Sequence, residues 1–316
     1  MRIFLKKRKV QVALNVGLGL ALLAVSFFSL KHFMGGGWPL HHADPILVVA
    51  AAILFLIAYA FKAWGWQRLF REEERPTAGA LAFAGGAACV GGVAMPGRVD
   101  DAIRIACVKR YPGTTAGLGT IGLSLIIVGM LDNAALAPLA GIAISDARSW
   151  GVRAGFLVVS VAGVLAAVVV SMLPKFAGMR RVMKYRMGRW LSEHAQNRRE
   201  SLAALLLISV SWALRGTAVF LLLNALALRG SFPLALGFLC ASAASAAVPI
   251  GPAGAAMQAG AGATLLALSG VPKAEAVAFS VAAQALIVVT GAAVMMILAA
   301  WQLGIRFRLR RPAAVV

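Results

Sequence analysis

The residues best suited to chemistry in this chain are charges set in apolar surroundings. Pro96-Gly97-Arg98 leads into Val99-Asp100-Asp101-Ala102-Ile103-Arg104. Proline suits the first turn of a helix, where its missing N–H costs nothing. A helix restarting there points unpaired N–H groups and the positive end of its dipole at the break, which favours an anion. Arg98 at the break and Arg104 less than two turns later add forked donors that match phosphate. The same side chains can also satisfy one another, Asp100 with Arg104 at i,i+4 and Arg98 with Asp101 at i,i+3. Self-pairing does not exclude a ligand that exchanges into the network.

Two further charges, Asp132 and Arg215, interrupt long apolar runs. An ionisable group inside a membrane is costly and marks a functional site or a structural ion pair. These two could pair with each other, and either reading holds at this stage. A third region, Pro249-Ile250-Gly251-Pro252-Ala253-Gly254 followed by Gln258, carries no charge. Its Pro252 and Gly254 allow close backbone approach, while Gln258 and the distant Gln284 offer amides. The small residues at 259–262 suit tight helix packing.

Other signals are weaker. Cys89, Cys107 and Cys240 share no metal or redox spacing and read as packing residues. His41-His42-Ala43-Asp44 has metal-binding residue types but reads better as a solvated loop. Glu72-Glu73-Glu74 between Arg71 and Arg75 reads as a solvated turn, and Trp64 with Trp66 as interface aromatics. Walker A, zinc and nucleophile-elbow motifs are missing, so no ATPase, enzyme or cofactor chemistry is expected.

These residues need elements to hold them, and the composition says which. Of 316 residues 61% are hydrophobic and 13% charged, against about 45–50% and about 25% in a soluble domain. The expectation is an all-α polytopic membrane protein, one integral domain over 1–316. Crossing the hydrocarbon takes about 20 helical residues. Six clean spans meet this, near 12–30, 45–66, 114–140, 152–173, 201–228 and 273–301, the first read as an anchor. Regions 77–95 and 232–270 are apolar but broken by Gly and Pro.

The net charge of +20 lies mainly in short basic runs beside spans, such as Lys6 to Lys9, Lys175 to Arg199 and Arg306 to Arg311. That distribution reads as topology, not as nucleic-acid binding. With a cytoplasmic N-terminus and both broken regions folded as re-entrant hairpins, 25 Lys and Arg fall inside and 5 outside. Both termini are then cytoplasmic, in an inner (cytoplasmic) membrane. The two halves, 1–145 and 150–305, contain the same elements in opposite orientation. Paired Gly/Pro-broken segments in inverted halves are a transporter arrangement that places the binding site at the breaks.

At these motifs the chain resembles the flippase-like membrane domain of lysylphosphatidylglycerol synthases. The family pattern Pro-Gly-Arg-x-Gly-Glu/Asp-x-x-Arg is similar to Pro96 to Arg104, with Asp100 in place of Gly. Asp132 fits the family's intramembrane Asp, without the Glu-Arg pair that usually precedes it. The later Pro-x-x-Pro-Gly-Gly-x-Gly-x-x-Glu pattern keeps Pro249, Pro252 and Gly254, while Ala253, Ala256 and Ala259 replace two Gly and the Glu. The resemblance implies movement of a lipid from the inner to the outer leaflet, with aminoacyl transfer left to a soluble domain not seen in this sequence.

The expected function is therefore translocation or binding of an anionic lipid or lipid-linked substrate. Its expected site comprises Pro96, Gly97, Arg98, Asp101, Arg104, Asp132, Arg215, Pro252, Gly254 and Gln258. The alternative is a non-transporting membrane partner of a lipid synthase or glycosyltransferase. An embedded enzyme using Asp101 or Asp132 as acid or base ranks last, for want of a second catalytic signature.

Overall fold

In this computed structural model, residues 43–94, 99–177, 198–228, 230–246 and 254–309 are described. The first anchor at 12–30 and residues Pro96, Gly97, Arg98 and Pro252 lie outside that set. Residues 43–316 form one unit by themselves.

Asp44 starts the described chain by capping α1 (Pro45–Gln67), its Oδ1 accepting from the Ile46 N–H at 2.8 Å. The residue grouped by sequence with His41 and His42 is thus used as a helix cap. Eight more helices follow among the described residues: α2 (Ala78–Ala94), α3 (Val99–Arg110), α4 (Leu118–Ala143), α5 (Trp150–Ala177), α6 (Arg198–Ala225), α7 (Phe232–Ala246), α8 (Gly254–Leu268) and α9 (Lys273–Leu309). No strand occurs among them.

Helices α1, α4, α5, α6 and α9 are long and apolar enough to cross a membrane. Five of the six expected spans are therefore helices, with starts within four residues of those expected and α9 running on to Leu309. The other four are short. At 1.5 Å per residue α2 measures about 25 Å, α3 about 18 Å, and α7 and α8 about 22 Å each. None of these matches the roughly 30 Å hydrocarbon core.

Each pair of short helices folds back on itself. Gly91 sits under Ile103, Gly92 faces Asp100, and the rings of Phe83 and Tyr111 stand 5.8 Å apart. Those contacts run in opposite chain directions, so α2 and α3 are antiparallel. In the second pair Gly262 sits under Phe238, and Ser242 Oγ donates to the Gln258 carbonyl at 3.0 Å. A glycine with positive φ then turns the chain out of each pair, Gly113 at +81° and Gly270 at +98°.

Between the pairs, α1 lies antiparallel along α6 in the most extensive helix contact of the bundle. Asp44 N–H donates to the Ala225 carbonyl at 3.0 Å, and Ser211 Oγ to the Ala58 carbonyl at 2.8 Å. Gly65 lets the helices close, since a Cβ there would stand 2.8 Å from Ile208 Cγ1. Several other packings come in matched pairs: α1 on α2 and α6 on α7, α2 on α9 and α7 on α4, α4 on α6 and α9 on α1.

The interior is filled by Phe55, Ile121, Leu131, Ile208, Leu222, Leu223, Leu236 and Phe279, all almost fully buried. Helix α5 behaves differently. Its Leu157, Val158, Val161, Val164, Leu165 and Val168 are exposed, a surface that suits acyl chains rather than water. Trp66, expected at the interface, is instead buried and donates its indole N–H to Ser124 Oγ at 2.8 Å. Trp64, two residues earlier on another face, is exposed. Glu72–Glu74 forms the expected turn, as a single 3₁₀ turn.

Candidate functional site

Three helices bring their charges to one level of the bundle. On α1, Tyr59 and Lys62 are three residues apart and share a face. On α6 the same spacing puts Trp212 and Arg215 on one face, and Ser211 beside them ties α6 to α1. Opposite stands Asp132 on α4, next to the buried Leu131.

Lys62 Nζ donates to both oxygens of Asp132, at 3.0 Å to Oδ1 and 2.8 Å to Oδ2. The two side chains are 22% and 21% exposed, so the pair is largely withdrawn from solvent. Trp212 Nε1 adds a third donor to Oδ1 at 2.7 Å. The Trp212 ring carries two cations near its face, Lys62 Nζ 5.6 Å and Arg215 Cζ 5.2 Å from its centre. Arg215 also stands over the Tyr59 ring at 5.5 Å. Such placements attract the guanidinium to the negative faces of the rings without giving its N–H groups acceptors. Arg215 Nε is buried with no hydrogen-bond partner among the described residues.

This arrangement corrects the pairing suggested by the sequence. Asp132 does not take Arg215; it takes Lys62. By sequence Lys62 falls near the end of the 45–66 run and is one of the 25 Lys and Arg assigned to the inside. Yet α1 continues to Gln67, which leaves Lys62 more than a turn inside the helix. Its spacing from Tyr59 within an apolar face was the signal that could have found it.

Of the expected hairpin pairings Asp100 with Arg104 forms, while Asp101, whose expected partner Arg98 lies outside the described residues, also takes Arg104. Arg104 reaches Asp101 at 2.8 Å and Asp100 at 3.3 Å, all three partly exposed. Asp100 and Asp101 sit in the first turn of α3, where its dipole favours negative charge. Tyr59 and Cys89 close on the same glycine, since a Cβ on Gly291 would stand 2.9 Å from Tyr59 Oη and 3.0 Å from Cys89 Cβ. Helix α2 of the first hairpin thus lies beside the α1 face that carries Tyr59.

The second hairpin carries polar contacts of its own. Gln284 Nε2 donates to Gln258 Oε1 at 2.9 Å, and the Gln258 carbonyl accepts from Ser242. Gln258 therefore clips α8 to α9 and α7. Gly254 opens α8.

Compared with known proteins, residues 10–304 match the family described as the lysylphosphatidylglycerol synthase TM region. The chain belongs to that family. No curated protein matches it, and no solved structure does. The match covers nearly the whole chain, so the ion pair, the hairpin charges and the Gln258 clip all fall within the family region. This is a multi-helix membrane protein of a lipid-related family. At the position where the family pattern has Glu, Ala259 stands half-buried beside the Gln258–Gln284 amide pair.

Proposed function

We propose that this protein binds the anionic head group of a lipid inside its helical bundle and passes it between the leaflets. One observation carries the reading: a guanidinium with a buried, unpartnered Nε stands beside the Lys62–Asp132 pair. A phosphate in hydrocarbon needs compensating charge and donors. Arg215 offers the donors, Lys62 an ammonium that can be shared, and Arg104 a further cation at the hairpin. Arg98 in the motif adds a fourth by sequence.

The matched packings support inverted halves. Exchanging α1–α4 with α6–α9 maps α1·α2 onto α6·α7 and α4·α6 onto α9·α1. It also maps the antiparallel α1–α6 pair onto itself. The short lengths of α2, α3, α7 and α8 support hairpins that enter and leave on one side of the membrane. With both termini cytoplasmic, the first would open inward and the second outward. Rocking of the halves about the α1–α6 contact would then expose the site alternately. The reading is of a transporter, not an enzyme, in the inner membrane.

The test is leaflet-resolved lipid movement in proteoliposomes carrying fluorescent phosphatidylglycerol or phosphatidylcholine. Wild type should accelerate phosphatidylglycerol movement, and Arg215→Gln, Lys62→Met and Arg104→Gln should each slow it at matched incorporation. Folded protein that moves neither lipid rules out translocation of these lipids. If it binds phosphatidylglycerol without moving it, the role is that of a non-transporting partner of a lipid enzyme.

A further inference from the structure

Asp132 occupies a place no other described carboxylate shares. Asp44 caps α1, Glu72 to Glu74 form a turn, Asp100 and Asp101 open α3, and Asp146 follows α4 in a short turn. Glu200 and Glu275 stand in the first turns of α6 and α9. Asp132 alone lies deep within a membrane-length helix, α4 (Leu118–Ala143). At 1.5 Å per residue it is about 21 Å from the start of that helix and about 17 Å from its end.

Its carboxylate is held by the groups an anion would use. Two of its three hydrogen bonds come from Lys62 and the third from the Trp212 indole. A head group drawn to Arg215 and Lys62 competes with Asp132 for the ammonium. When the head group wins, Asp132 keeps one neutral donor in a low-dielectric interior. A carboxylate left so poorly compensated is neutralised by a proton. The converse also holds, because protonating Asp132 frees Lys62 for the ligand. Linkage makes the two effects equal in size.

The surrounding charges point the same way. From α1 Tyr59 and Lys62 face this level and from α6 Trp212 and Arg215, while on α3 Asp100, Asp101 and Arg104 pair with one another. Between Phe232 and Ser245, α7 has no charged residue and only Cys240 as a titratable one. Between Trp150 and Met172, α5 has only Arg153, which is bound at its start to the Ala147 carbonyl. Lys62 and Asp132 balance each other. A head group that draws the ammonium away leaves the Asp132 carboxylate uncompensated unless a proton neutralises it, which the bilayer interior favours.

We infer that Asp132 is a proton-binding site coupled to the anion site, so that a singly charged head group and one proton are loaded together. The inference rests on the head-group reading above and adds a second transported species to it.

The test is calorimetric titration of the full-length protein in detergent with dihexanoyl-phosphatidylglycerol as the probe. Two buffers of different ionisation enthalpy give the protons bound per ligand across a pH series. Wild type should take up close to one proton wherever Asp132 is ionised in the empty protein. Affinity there should fall about tenfold per pH unit, the slope for one linked proton. Asp132→Asn should bind the probe with no uptake and no pH slope. Asp132→Glu, which keeps a carboxylate, should retain uptake over a displaced pH range and serves if the Asn variant does not fold. Binding by wild type with neither uptake nor slope overturns the coupling and leaves the head-group site standing. Unchanged uptake in Asp132→Asn, or an unmoved range in Asp132→Glu, assigns the proton elsewhere and overturns it too. No binding of the probe removes both readings together.

Discussion

Lys62 and Asp132, seventy residues apart in the chain, meet with both carboxylate oxygens within 3.0 Å of one ammonium. The contact joins α1 to α4, and through Trp212 it reaches α6. It is the only ion pair among the described residues that joins two long helices away from their ends. Arg68–Glu200 links the end of α1 to the start of α6 with side chains 47% and 29% exposed, a geometry worth about 0.2–1 kcal/mol.

The pair should show its worth in a double-mutant cycle. Lys62→Met or Asp132→Asn alone leaves a poorly compensated charge, at about 3–5 kcal/mol. The double variant should lose clearly less than the sum of the two. Reversible unfolding in mixed detergent measures all three, and strict additivity would show that the pair contributes no coupling.

Trp212→Phe separates two roles of one side chain. The ring face under Arg215 survives, while the N–H donated to Asp132 is lost. A hydrogen bond to a charged group is worth about 1.5–3 kcal/mol, so stability should fall by that order. Trp212→Leu should fall further, since it removes the cation–π surface as well. Equal losses in the two variants would mean that the ring face contributes nothing.

Arg104 should behave in the opposite sense. Its bonds to Asp100 and Asp101 are partly exposed i,i+4 and i,i+3 pairs, each worth about 0.2–0.5 kcal/mol. Arg104→Gln should therefore leave thermal stability almost unchanged while weakening dihexanoyl-phosphatidylglycerol binding. A large drop in melting temperature would make the residue structural.

Glycines at helix crossings should be intolerant where the neighbouring helix leaves no room for a Cβ. In Gly65→Ala the new Cβ would face Ile208 Cγ1 at 2.8 Å and the Ala204 carbonyl oxygen at 3.1 Å. Overpacking of this kind costs about 1–3 kcal/mol. Gly122→Ala, in α4, meets nothing within 4 Å and should gain up to about 1 kcal/mol from helix propensity. Unfolding midpoints of the two variants should move in opposite directions.

The sequence by itself determined the class of the protein and the position of its breaks. Apolar runs of about 20 residues have few outcomes other than a membrane helix. Proline and glycine at 95–98 and 247–253 left each flanking helix too short to span. The pairing of Asp100 with Arg104 was also legible, because i,i+4 neighbours share a helix face. Only the tertiary structure decided the partner of Asp132. Which cation meets a carboxylate seventy residues away depends on how α1, α4 and α6 rotate about their axes. That rotation is set by packing, with Gly65 against Ile208 and Ser211 on the Ala58 carbonyl. The same packing buried Trp66 and left Trp64 exposed, two residues that composition treats alike. Arg215, conspicuous by sequence as the lone charge of its run, received aromatic faces rather than a carboxylate, since Lys62 stands closer to Asp132 once the helices are in register.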